Sequence, residues 1–206
     1  MVNIKSKTEI EKMKIAGRIT FEALERVREA VKPGVTTMEL DCIAKQYIRS
    51  QNCTPSFKNY GGFPGSVCAS VNDVVIHGFP SKKPLQEGDI ISIDVGACYQ
   101  GYHGDAARTF PVGKISAEAQ KLIDVTKQSF FEAIAFAKEG FRVSDISKAV
   151  QDYAEDTQNR VTFLPLDSLS GSCGEHAEWS FDPDTGELVI SGSGAMKDYA
   201  YYGEEM

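Results

Sequence analysis

An α+β fold is what this sequence predicts, and three observations predict it. Two helical patterns open the chain, a stretch rich in Gly, Pro and β-formers follows, and a second helical pair comes after it. Within the middle stretch, "ISIDVGACYQGYHGDAARTF" at residues 91–110 has the texture of a β-hairpin. Runs of helices and runs of strands that segregate along the chain point to α+β rather than alternating α/β.

The first helix opens at Ser6, where a serine and Glu9 three residues on form a capping box. Ile10, Met13, Ala16, Thr20, Ala23, Leu24, Val27 and Val31 recur near helical spacing, and Pro33-Gly34 stops the run. Thr36 and Glu39 repeat the capping pattern ahead of a second helix, with Leu40, Ile43, Ala44, Tyr47 and Ile48 on one side. "PSFKNYGGFPGSVCASVNDVVIHGFP" then predicts loops and short strands. Residues 90–96 are expected to pair with residues 99–111 across a turn near Tyr99-Gln100-Gly101. A third helix is expected from Ser116 to about Lys138, ended by Gly140, and a fourth capped by Ser144.

The helical pairs repeat. "VKPGVTTMELDCIAKQYI" and "AKEGFRVSDISKAVQDYA" align at an offset of 106, matching Lys32 and Gly34 with Lys138 and Gly140. Leu40, Ala44 and Tyr47 match Ile146, Val150 and Tyr153. Two copies indicate a duplicated half-domain rather than a solenoid.

Composition shifts between Arg160 and Ser172, which predicts a boundary: residues 1–160 as one region and residues 161–206 as a tail. From Asp167 onward there are nine acidic side chains and one lysine, so residues 1–166 carry about +1 of the chain's net −7. The tail holds a candidate hairpin, "AEWSF" and "ELVIS", flanked by linker-like "LSGSCG" and "SGSGAM". The near-neutral body has no basic stripe, which excludes nucleic acid as a substrate. Five scattered cysteines without a CxxC pair form neither a zinc ribbon nor a disulfide framework. Reduced thiols, a charged N-terminus and no long apolar run predict a cytoplasmic protein with no membrane partner.

The residues that could carry chemistry lie in the hairpin. Side chains alternate along a strand, so Ile91, Ile93 and Val95 point one way and Ser92, Asp94 and Gly96 the other. Asp105, eleven residues beyond Asp94, can come close to it across an antiparallel pair. Two adjacent carboxylates favour a divalent cation between them. A solvated strand end and a turn residue explain the same spacing, and both readings stay open on the residues alone. His77, in "VVIHGFP", is on the same footing between a loop residue and a catalyst.

Together, "NYGGFPGSVCASVNDVVIHGFP" and "GDIISIDVGACYQGYHGDAARTFPVG" resemble the type I methionine aminopeptidases, as do "KTEIEKMKIAGRITFEAL" and "VKPGVTTMELD". The resemblance runs from about Ile4 to about Asp156. It implies a pita-bread fold of two pseudo-symmetric halves and the removal of initiator methionine by two-metal hydrolysis, with cobalt, manganese, iron or zinc as the divalent ions. It implies Asp94 and Asp105 as metal ligands and His77 as the catalytic group that hydrogen-bonds the substrate at the scissile peptide. Tyr60, Phe63 and Cys68 would line the methionine pocket. The implied partners are the N-termini of nascent peptides, with the ribosome as a neighbour.

The family's five-ligand set also needs a histidine after the fourth helix and two later glutamates, and no matching stretches follow here. His176, Glu175, Glu178 and Glu187 stand in different surroundings. The expected second half is therefore incomplete, and weak or absent activity is expected of this chain alone. An Xaa-Pro peptidase of the same fold and a non-catalytic remnant are the rival readings. The tail, "SGSCGEHAEWSFDPDTGELVISGSGAMKDY", is similar to a segment of BspA-like bacterial surface leucine-rich-repeat proteins.

Overall fold

A computed structural model describes residues 4–156, 170–172, 177–182 and 187–192. It divides into two compact units, Met1–Arg160 and Val161–Met206.

The first unit begins with α1 (Lys7–Ala30), and both halves of its capping box form: Glu9 N donates to Ser6 Oγ, and Ser6 N donates to Glu9 Oε2 at 2.7 Å. The second helix, α2 (Thr37–Ser50), starts with the same reciprocal device on Thr36 and Glu39. Strands β1 (Thr54–Pro55), β2 (Val67–Val71), β3 (Ile90–Tyr99) and β4 (Tyr102–Pro111) make one antiparallel sheet. β4 pairs along the whole of β3 on one edge, while β1 and β2 pair with successive stretches of the other, Ala97–Cys98 and Ile91–Val95. Gln100 and Gly101 join β3 to β4 with positive φ at both positions (48° and 84°). That is the twist a two-residue hairpin turn demands.

One face of this sheet is core. Ile91, Ile93, Val95 and Ala97 of β3 and Val67 and Ala69 of β2 are buried with Leu24, Val27, Leu40, Ala44 and Ile48 of the helices. α1 lies against β3 and β4, and α2 against β1 and β2. The approach is close at Gly104, where a Cβ would stand 2.6 Å from the backbone of Ala16 and Gly17. Glycine there lets helix and strand meet backbone to backbone. Thr20, fully buried on α1, accepts a hydrogen bond from Ala97 N and so satisfies a strand amide inside the core.

The second helical pair, α3 (Ala117–Ile134) and α4 (Val143–Glu155), packs mainly on itself. Both helices depart from expectation at one end. α3 stops at Ile134 rather than near Lys138, because Phe136 and Ala137 donate back only three residues, to Ala133 and Ile134, and tighten the chain into turns. α4 begins at Val143 rather than after Ser144. The Asp145 carboxylate, not the serine hydroxyl, reaches back to the Arg142 amide at 2.7 Å.

The second unit contains β5 (Ser170–Ser172), β6 (Ala177–Asp182) and β7 (Glu187–Gly192) in one antiparallel sheet. β6 and β7 are the expected hairpin, paired from Asp182 with Glu187 to Ala177 with Gly192. The turn between them and His176 lie outside the described residues. Part of "LSGSCG", expected as a linker, is strand instead: Gly171 stands opposite Trp179 in the β5–β6 ladder, so the partner strand orders it.

Candidate active site

The face of the sheet turned away from α1 and α2 carries the polar residues. On β3 these are Ser92, Asp94 and Gly96. Opposite them stand Ser70 and Cys68 on β2, and Thr109, Ala107 and Asp105 on β4. The register puts Asp105 across from Gly96, so the two aspartates are diagonal neighbours on one face rather than a direct pair. Diagonal positions keep side chains within reach while easing the repulsion of a head-on carboxylate pair. This face is crowded at Gly96, where a Cβ would lie 2.8 Å from Ser56 Cβ and 3.0 Å from Phe57 Cε1.

Electrostatics mark the pair. The Asp94 carboxyl is pushed up to about 6, by burial first, then by the charge of Asp105 and a hydrogen bond shared with it. The charge of His77 and the Val95 amide pull the other way. Cys68, directly opposite Asp94, is buried, and its thiol is pushed up to about 12, by burial and then by the two carboxylates. It is a neutral, apolar neighbour at ordinary pH.

The other expected residues lie on the loops before and after β2, and a second histidine, His103, lies on β4. Tyr60 opens a short 3-10 turn, Tyr60–Gly62, and is 81% exposed. Phe63, half-buried, meets Phe79 edge-on with ring centroids 5.3 Å apart. His77 is exposed at φ +57°, on a loop whose next residue bonds to β2. His103 shares the face of Asp105 and hydrogen-bonds Ser56 Oγ through Nδ1 at 2.9 Å. Asp41 was missed by sequence reasoning. From α2 it accepts the Ser66 and Val67 amides and fastens the start of β2. Only its place one turn into a capped helix hinted at it.

Whether the residues present suit a metal is decided by one atom. Asp94 Oδ1 is buried with no hydrogen-bond partner among the described residues. An unsatisfied buried carboxylate oxygen beside a second carboxylate has the chemistry of a divalent-cation seat. It fits as a partial set, because among the described residues no cluster of three or more His, Cys, Asp or Glu is arranged to hold an ion.

Comparison with known proteins gives the family and the fold. A methionine aminopeptidase of Clostridium acetobutylicum is 56% identical over 156 residues, covering 75% of this chain and 62% of that protein. Methionine aminopeptidase 1 of Bacillus subtilis is 48% identical over 158 residues, covering 77% and 64%. The crystal structure of methionine aminopeptidase from Thermotoga maritima superposes with a TM-score of 0.74 at 42% identity, over 75% of this chain and 63% of that one. The chain thus spans about 62% of the length of the first of these relatives. Its architecture is the pita-bread fold with a partial sheet. The family model that describes metallopeptidase family M24 matches residues 11–187, taking in the aspartate hairpin, the histidine loop and both helix pairs, and the chain belongs to that family.

Proposed function

We propose that this chain is the N-terminal region of a methionine aminopeptidase, which removes the initiator methionine from nascent peptides, and that the 206 residues by themselves turn over little substrate. The observation that carries the reading is the diagonal Asp94–Asp105 pair with its unpartnered buried oxygen.

In this reading Asp94 and Asp105 hold divalent cations: cobalt, manganese, iron or zinc. When bound, such ions activate a water and polarise the scissile carbonyl. The chain's own side chains bind and orient. His77 donates a hydrogen bond to the substrate at the scissile peptide. Phe63, Tyr60 and Cys68 receive the methionine side chain, and the protonated, buried Cys68 suits a soft thioether. The weakness lies in the ligand count. Two carboxylates hold a metal pair loosely, and no stretch of this sequence matches the one that carries the family's glutamate general base for the attacking water. The work belongs in the cytoplasm, on peptides leaving the ribosome. Residues 1–160 form the aminopeptidase-like region, and residues 161–206 an acidic segment akin to BspA-like surface proteins.

The test is a titration of the purified chain with cobalt, manganese or iron(II), with a Met-Ala-type peptide and an Xaa-Pro peptide as substrates. Weak metal uptake that disappears in Asp94→Ala and Asp105→Ala, with slow or no release of methionine, is the expected result. Brisk methionine release abolished by both substitutions overturns the low activity. Cleavage of the Xaa-Pro peptide alone overturns the methionine assignment, and no metal uptake by the wild-type chain identifies a non-catalytic remnant.

A further inference from the structure

The loop that carries His77 is open nearly everywhere. Val74, Val75 and Ile76, just before the histidine, are 47%, 86% and 64% exposed. Its start is tied down at Asn72, whose amide donates to the Ile90 carbonyl, while its side chain accepts from the Ile90 amide through Oδ1 and donates to Asp89 through Nδ2. The Val74 amide donates back to the Val71 carbonyl at 3.2 Å, and the attachment beyond the apolar triplet is at Gly78. There the Ala69 amide donates to the Gly78 carbonyl at 2.8 Å, and the Gly78 amide donates to Ser70 Oγ at 3.1 Å. The contact admits no side chain, since a Cβ on Gly78 would stand 2.3 Å from Ala69 O and 2.9 Å from Ser70 Cα. Ser70 is 5% exposed, on the strand face it shares with Cys68.

His77 therefore sits one residue from a two-bond clamp, with its own backbone in the left-handed region at φ +57°. A non-glycine residue holds that conformation when its surroundings over-determine it. Of the two bonds, the strand-edge bond to Ala69 is available to any residue type there. The bond from the Gly78 amide to Ser70 Oγ depends on a hydroxyl. We infer that Ser70 is a positioning residue: its hydroxyl, through the Gly78 amide, holds the backbone from which the His77 imidazole projects. The clamp also seats Phe79, one residue further on, against Phe63. The functional meaning of this placement rests on His77 meeting the substrate as proposed above. The placement itself does not.

The experiment compares the full-length chain with Ser70→Ala and Ser70→Thr by NMR. Two signals are followed: exchange of the Gly78 amide with solvent, and the His77 imidazole carbon–proton resonance. In Ser70→Ala, Gly78 exchange is expected to rise at least about tenfold, the cost of one lost hydrogen bond near 1.4 kcal/mol. The His77 resonance is expected to move or broaden, and amides of the β3–β4 ladder to keep their protection. Ser70→Thr restores both signals. Unchanged Gly78 exchange overturns the inference, and so does a His77 resonance that stays put while Gly78 opens. A loss not rescued by threonine overturns it as well. If the alanine variant does not fold, Ser70→Cys, similar in size and a poor acceptor, is judged by the same criteria. A separate His77→Ala arm, scored by Met-Ala peptide affinity with manganese present, reports on the proposed function alone. No change there removes the role of the histidine and leaves the clamp standing.

Discussion

Shifted by 106 residues, α1 and α2 fall on α3 and α4, and the turn between the helices carries Gly34 at φ +90° in one pair and Gly140 at φ +91° in the other. The plan is the same and the burial is not. Leu40 is 0% exposed, whereas its counterpart Ile146 is half-buried. Leu24 is 2% exposed, and its counterpart Phe130 is 57% exposed. Val27 and Ala133, by contrast, are both buried. The first pair lies on a four-stranded sheet, and the second packs chiefly helix on helix. Caps, glycines and amphipathic spacing are enough to form a helix pair with its turn. A core needs a second layer beneath it.

The comparison can be broken most sharply at its matched core positions. Leu40→Ala is expected to cost about 3 kcal/mol in urea unfolding, through lost burial and the cavity left behind. Ile146→Ala is expected to cost well under half of that, and equal losses would refute the contrast in burial. Next comes the shared turn. Gly34→Ala and Gly140→Ala each force a side chain into the left-handed region, and an added Cβ meets nothing within 4 Å at either site. Each should lose about 1 kcal/mol from backbone strain alone, so unequal losses would show that the turns differ. Replacing Phe130, Phe131 and Ile134 together with serine should dim the fluorescence of a bound hydrophobic dye while moving the unfolding midpoint by less than the error of the fit. These three side chains are 57%, 52% and 51% exposed. A clear fall in stability would reveal a buried role.

The smallest effect separates the helix starts. Glu9 is held down to about 2 from an ordinary 4.5, first by the Ser6 amide, then by the Ser6 hydroxyl and Tyr102. A carboxylate depressed on folding adds stability that is complete above its unfolded value and disappears as the pH falls through its folded one. Between pH 5 and pH 2 the wild type should therefore lose melting temperature slightly faster than Glu9→Gln. Parallel slopes would deny the capping box that role. Ser116 at the head of α3 caps Ala119 N with no acidic residue reaching back, so no counterpart slope is expected there.

Much of this was legible beforehand because it is local. The capping pairs Ser6–Glu9 and Thr36–Glu39, the stop after Ala30 and the 106-residue repeat depend on neighbours in the chain. The hairpin and the shared face of Asp94 and Asp105 followed from period-two alternation. Their diagonal offset did not, because it depends on which two residues form the turn. The clamp under Gly78 and the grip of Asp41 on β2 were hidden for a different reason, since each joins residues that only the folded sheet brings together. The true start of α4 escaped because the cap position is Arg142, a residue with no capping preference of its own, and the acceptor for its amide comes from Asp145 three residues on.

The two-residue bend at Gln100-Gly101 works as a counter. With side chains alternating at every step, a one-residue slip of β4 along β3 would send Asp105 into the hydrocarbon interior and bring its neighbour out to the opposite face. Evolution can therefore vary what stands at the tip of this hairpin far more readily than how many residues stand there. A lineage that lengthened the tip by one would have to absorb the extra residue within the bend, or relocate its acid.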